Sequence, residues 1–134
     1  LSGHGKLNND AISATAVGIA TAKAALPFTQ ALVSGVLCNS LVCLAVWMTL
    51  AGRSVVDKVI VIIFPVTAFV AAGFEHSIAN LYFFSFAMLL GAPLGWTDVI
   101  RNLVPVVLGN IIGGGVLVAL VYHVCYPRWH DAAL

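Results

Sequence analysis

The spacing of charge along this chain marks out helices long enough to cross a bilayer. Charged residues stand at positions 6, 10, 23, 53, 57, 58, 75, 98, 101, 128 and 131. The long charge-free runs between them are 29 residues over 24–52, 16 over 59–74, 22 over 76–97 and 26 over 102–127. Roughly 20 apolar residues of helix cross the hydrocarbon core, so the first and last of these runs each hold a span. Asp10 reads as the cap of a short Ala-, Thr- and Gly-rich helix through about Lys23, and residues 1–24 are expected as an extramembrane loop and a short surface helix. Pro27 suits the first turn of the next helix, which stops at Gly52-Arg53 and gives a first span over about 27–51.

The middle of the chain forces a break. Asp57 to Gly91 is 35 residues, which as a single helix at about 1.5 Å per residue is roughly 52 Å long and exceeds any bilayer core. Gly73-Phe74-Glu75-His76 interrupts this run with a glycine and two ionisable residues. Two architectures fit: two half-helices of one discontinuous span, or two full spans joined by a very tight turn. The first buries Glu75 and His76 near the midplane beside protein or a cavity, and the second puts them at the interface. Gly91–Trp96 is a Gly/Pro loop, Asp98 reads as the cap of the last helix over about 98–126, and Pro127 ends it. Residues 128–134 follow as a tail, expected on the cytoplasmic side. A three-span reading places three basic residues on either side of the membrane, so the positive-inside count is a tie.

Composition strengthens the membrane reading, since 61% of the 134 residues are apolar and 8% are charged, against about 45–50% and about 25% in soluble domains. A net charge of +1 with no basic cluster and no Gly-rich phosphate loop excludes nucleic acid as a partner. Cys38, Cys43 and Cys125 fall in or beside apolar stretches and show neither a disulfide framework nor zinc spacing, so no metal site is expected. The opening, Leu1 to Asp10, is polar and lacks the apolar core of a signal peptide. It reads as a loop within a longer protein, and the chain is expected to pair with an N-terminal half.

Glu75 and His76 carry the candidate chemistry. An acid or an imidazole within an apolar segment is costly unless it faces a partner or a water path, and His changes charge near neutral pH. The pair reads as a proton-handling site, or more plainly as polar groups satisfied at a helix end. Asn39 on the first span either holds the Glu75-His76 turn or makes an ordinary interhelical bond, Asn80 follows His76 at i+4, and Asn110 can serve as Asn39 does. Lys23 reads as an interfacial anchor or as a cation gathering anions at a pore mouth. Phe69 and Phe74 flank the break, where an aromatic can close a pore. Gly109 and Gly113 form a small-xxx-small pair that admits a neighbouring helix closely.

Read together, Ala22-Lys23-x-x-Leu26-Pro27-Phe28, Gly35-x-Leu37-Cys38-Asn39 with Leu41 to Met48, and Gly52-Arg53-Ser54 resemble the second half of the formate/nitrite transporter family. Phe69-Val70-Ala71-x-Gly73-Phe74-Glu75-His76-Ser77-Ile78-Ala79-Asn80 resembles that family's signature, and Pro105-Val106-x-x-Gly109-Asn110-Ile111-Ile112-Gly113-Gly114 its last helix. The pattern is closest to the formate-channel branch. The resemblance implies an all-α membrane protein of aquaporin-like architecture. This chain would supply three transmembrane spans, the middle one broken (57–91), as half of an inverted-repeat six-span protomer; the whole three-span repeat covers 25–127. It further implies a homopentamer in the cytoplasmic (inner) membrane, embedded in the lipid bilayer, and a transporter rather than an enzyme, without cofactor. By the same transfer His76 is the pore histidine, Asn39, Glu75 and Asn80 support it, Phe69 forms a constriction and Lys23 is the vestibule lysine. The expected function is passive or proton-linked passage of small monovalent weak-acid anions, formate first, with nitrite or hydrosulfide as alternatives. A reading from another class is a respiratory-enzyme membrane anchor with His76 and His123 on haem; the two histidines lie too far apart in depth to share one.

Overall fold

The structure, a computed structural model, describes residues 10–126; the expected loop over 1–9 and the tail over 128–134 lie outside the described residues. Regular structure among the described residues is wholly helical: α1 (Ala11–Ala24), α2 (Phe28–Thr49), α3 (Val55–Ala71), α4 (Ser77–Leu89) and α5 (Trp96–Cys125), whose residues Ile112–Leu120 wind as a π-helix. Two of these, α2 and α5, are long and apolar enough to cross a membrane.

Local chemistry sets the helix starts, and at three of them the structure corrects the expectation. Asp10 precedes α1 in the left-handed region (φ 61°) and makes no capping bond through its side chain. α3 begins at Val55 rather than Asp57, because Ser54 and Asp57 cap it reciprocally. The Asp57 N–H donates to Ser54 Oγ (3.1 Å), and Asp57 Oδ2 accepts from the N–H groups of Ser54 (2.9 Å) and Arg53 (3.1 Å). α5 begins at Trp96, and Asp98 acts from the third helical position by accepting the Gly95 N–H (2.9 Å). Pro27 sits just outside α2 in extended backbone, where its missing N–H costs nothing.

α3 ends through a Schellman motif. Gly73 takes φ 67°, a conformation open to glycine without strain. The N–H groups of Gly73 and Phe74 donate to the carbonyls of Val70 (3.1 Å) and Phe69 (3.0 Å). Residues 72–76 then separate the two helices, as the glycine and paired ionisable residues predict. A tight hairpin would lay α3 along α4. Instead α3 packs on α2, while α4 packs on α1 and α5.

α2 and α5 form the spine. Their backbones meet at glycines: a Cβ on Gly35 would lie 2.8 Å from Val106 O, one on Gly109 would strike Leu32 O, and one on Gly113 would strike Val36 O. The small-xxx-small pair therefore serves packing within the chain. A second, smaller core joins Ala20 of α1, Phe84 and Ala87 of α4 and Val99 of α5. Much of the exterior is apolar, with Val55, Phe64, Ile78 and Leu89 each more than two-thirds exposed. Such a surface suits lipid or further protein rather than water.

Replacing Gly109 or Gly113 with Ala is expected to destabilise the assembled protein by about 1–3 kcal/mol, because backbone cannot yield as a side chain can. Gly115, whose Cβ would meet open space, is the control. Thermal unfolding in detergent checks all three.

Candidate functional site

The break frees polar backbone among apolar neighbours, and each freed group needs a partner. The Glu75 N–H donates to Ser34 Oγ on α2 (3.0 Å). Asn110 Nδ2 donates to the Glu75 carbonyl (3.1 Å) and to the Gly35 carbonyl (2.9 Å). Asn110 Oδ1 accepts the Ser77 N–H (3.0 Å), the first free donor of α4. One buried amide on α5 thus fixes α2, the break and the start of α4. Asn39 Nδ2 donates to the Asn110 carbonyl (2.6 Å). Of the two roles open to Asn39, the geometry gives the interhelical bond, and its hold on the turn passes through Asn110.

The Glu75 carboxylate is 2% exposed and well supplied with donors. Lys23 Nζ donates to Oε1 (2.6 Å), and Asn80 Nδ2 (2.5 Å) and Asn102 Nδ2 (3.4 Å) donate to Oε2. An isolated buried carboxylate is prohibitively costly, and a paired one needs its remaining lone pairs satisfied as well; here both oxygens are. Lys23 is drawn into this cluster: its side chain is 14% exposed and its ammonium is held by Glu75.

His76 stands at the N-cap position of α4 in extended backbone (φ −109°, ψ 120°), and its carbonyl accepts the Asn80 N–H (2.8 Å). Its half-buried ring stacks on Phe69 of the last turn of α3, centroids 6.0 Å apart and planes at 25°. Among the described residues no hydrogen bond reaches the imidazole. The neighbouring positions 75 and 76 thus differ in kind: one side chain is buried and saturated, the other lies against an aromatic with its ring nitrogens uncommitted. That arrangement leaves the ring nitrogens of His76 open to a further partner while Glu75 is held in place.

Five of the expected residues, Lys23, Phe69, Glu75, His76 and Asn80, meet at the break, and Asn39 reaches it through Asn110. His123 lies in the exposed last turn of α5. Two participants escaped the sequence reading. Ser34 leaves no signal, since a serine in an apolar helix usually bonds its own backbone. Asn102 carries the same signal as Asn39, an amide within an apolar run.

Residues 1–124 match the profile of the formate/nitrite transporter family. The formate channel FocA of Escherichia coli K12 is 43% identical, the match covering 78% of this chain and 43% of that protein. A probable formate transporter of Methanothermobacter thermautotrophicus is 44% identical, over 77% of this chain and 38% of its own length. Among solved structures, a pentameric formate channel with formate bound superposes with a TM-score of 0.77 at 39% identity, covering 92% of this chain and 56% of that one. The chain spans about half the length of the relatives it matches.

Asn110→Ala deletes three side-chain bonds and Asn39→Ala one. At about 1 kcal/mol per bond, the expected losses of stability are about 3 and about 1 kcal/mol. Lys23→Met alone leaves a buried charge unpaired and is expected to cost about 3–5 kcal/mol, whereas Lys23→Met with Glu75→Gln costs less than the sum of the single changes. Unfolding of the detergent-solubilised assembly measures both sets.

Proposed function

This chain belongs to the formate/nitrite transporter family, and from that premise we propose that it forms half of a membrane pathway for small monovalent weak-acid anions, formate first, with His76 at its centre. The family is one of transporters rather than enzymes. The observation that carries the reading is the pairing at the break: Glu75 is held rigid by Lys23, Asn80 and Asn102, while the adjacent His76 lies against Phe69 without a hydrogen bond from the described residues.

In this reading α2 and α5 are full spans and α3 with α4 is one discontinuous span, its two arms packed on different neighbours. The other three spans of a six-span protomer come from an N-terminal half, and protomers assemble as a homopentamer in the cytoplasmic membrane, each with its own pore. The solved relative's description as a pentameric channel with formate bound supports this assembly.

The physical argument is one of desolvation. A bare anion entering an apolar constriction such as that at Phe69 loses its hydration at great cost, whereas the neutral conjugate acid loses little. An imidazole that hands over or shares a proton at that point lowers the barrier. Anions of weak acids gain from this, and anions of strong acids gain nothing. Lys23 contributes by neutralising Glu75, so that no net negative charge stands beside the path. Formate is favoured over nitrite and hydrosulfide by the names of the relatives, and passive and proton-linked passage share this step.

The test is flux into proteoliposomes holding the native assembly, comparing formate, nitrite and hydrosulfide at about pH 5.5 and about pH 7.5. Formate is expected to lead and to move faster at the lower pH, and His76→Asn to abolish the pH response. Equal behaviour of mutant and wild type removes His76 from the mechanism.

A further inference from the structure

Asn102 lies on the second turn of α5, 2% exposed, eight residues before Asn110. Its amide meets three separate elements. Nδ2 donates to the carbonyl of Lys23 at the end of α1 (2.9 Å) and to Glu75 Oε2 in the break (3.4 Å), and Oδ1 accepts from Asn80 Nδ2 on α4 (2.9 Å). Asn80 Nδ2 is thereby shared between Asn102 Oδ1 and Glu75 Oε2, and Asn80 Oδ1 is left buried without a partner. An orphaned buried acceptor is a standing cost, and native structures carry few of them. Its presence means that the amide of Asn80 is oriented by what its neighbours demand rather than by its own satisfaction.

We infer that Asn102 is the positioning residue of the Lys23–Glu75 pair, holding the backbone that carries the ammonium and the second oxygen of the carboxylate with one amide. The inference rests on the reading of the break as the transport site, since it is through Glu75 that Asn102 fixes the chain leading into His76. The last turn of α1 packs through Ala24 against the core of Ala20, Phe84, Ala87 and Val99, an apolar contact without direction. The buried residues of α1, Ala16 and Ala20, lie earlier in the helix and are too small to lock its rotation. The bond from Asn102 to the Lys23 carbonyl sets where that turn ends, and so brings Nζ to Oε1. The bond to Oε2 and the orientation of Asn80 close the other side of the carboxylate.

A charge-relocation cycle tests this in the assembled protein. Asn102→Asp places a second carboxylate against Glu75 and removes both donated bonds, so it is expected to lower the unfolding midpoint, by on the order of 5 °C. In a Glu75→Gln background the repulsion between two carboxylates is gone while the bond to the Lys23 carbonyl is still lost, so the same substitution is expected to lower the midpoint by clearly less, a dependence on the charge at position 75 that packing alone cannot produce. Asn102→Leu, similar in size and without donors, is expected to lower the midpoint in the Glu75 background. Formate flux should follow the same order. Equal losses from Asn102→Asp in both backgrounds, or a leucine variant as stable as wild type, overturn the inference. Should the aspartate variant assemble only together with Glu75→Gln, that rescue supports it. If the wild-type assembly carries no anion the transport reading falls, while the unfolding midpoints still decide the role of Asn102.

Discussion

A helix that breaks among apolar neighbours frees N–H and C=O groups that need partners, and side chains of the surrounding helices supply them at residues 72–76. Asn110 carries the largest share, with the Glu75 carbonyl, the Ser77 N–H and the Gly35 carbonyl all bonded to one side chain. Ser34 takes the Glu75 N–H. Once the backbone is fixed in this way, the Glu75 side chain has one direction to go, toward Lys23, Asn80 and Asn102.

The same demand explains the spine. Asn110 reaches the Gly35 carbonyl only because α2 and α5 approach at the backbone, and they do so where Gly35, Gly109 and Gly113 leave no side chain between them. The glycines and the amide are parts of one device: close approach makes a short side chain long enough to join three elements. Gly73 contributes at the other side by closing α3 in two bonds, so that the freed stretch is short. Burial of the carboxylate then turns an electrostatic liability into a fixed point, since both of its oxygens are satisfied and its charge is matched by Lys23.

For the proposed pathway this division of labour matters. A group meant to interact with a passing solute must keep its bonds uncommitted, whereas the structure around it must not move. Residues 75 and 76 separate those requirements by one position, the first locked and the second stacked on Phe69. The apolar exterior of the helices suits lipid or further protein rather than water.

The order of residues alone determined the helical architecture, the two long apolar helices and the place of the break, because charge spacing, helix length and a glycine next to ionisable residues are local quantities. It also picked out Glu75, His76 and Asn80, since polar groups in an apolar run stand out whatever they touch, and Phe69 by its place beside the break and by the family resemblance. Helix starts at Val55 and Trp96 were each missed by two residues because capping is a reciprocal geometry, in which Asp57 and Asp98 act from inside the helix rather than ahead of it. Only the tertiary structure decided who bonds whom. Lys23 and Glu75 are 52 residues apart, Asn102 reaches both, and Asn39 meets Asn110 rather than the turn itself. Those pairings depend on how α1 and α2 lie against α5, and that is fixed by backbone contact at glycines and by the bonds themselves, which no spacing along the chain encodes.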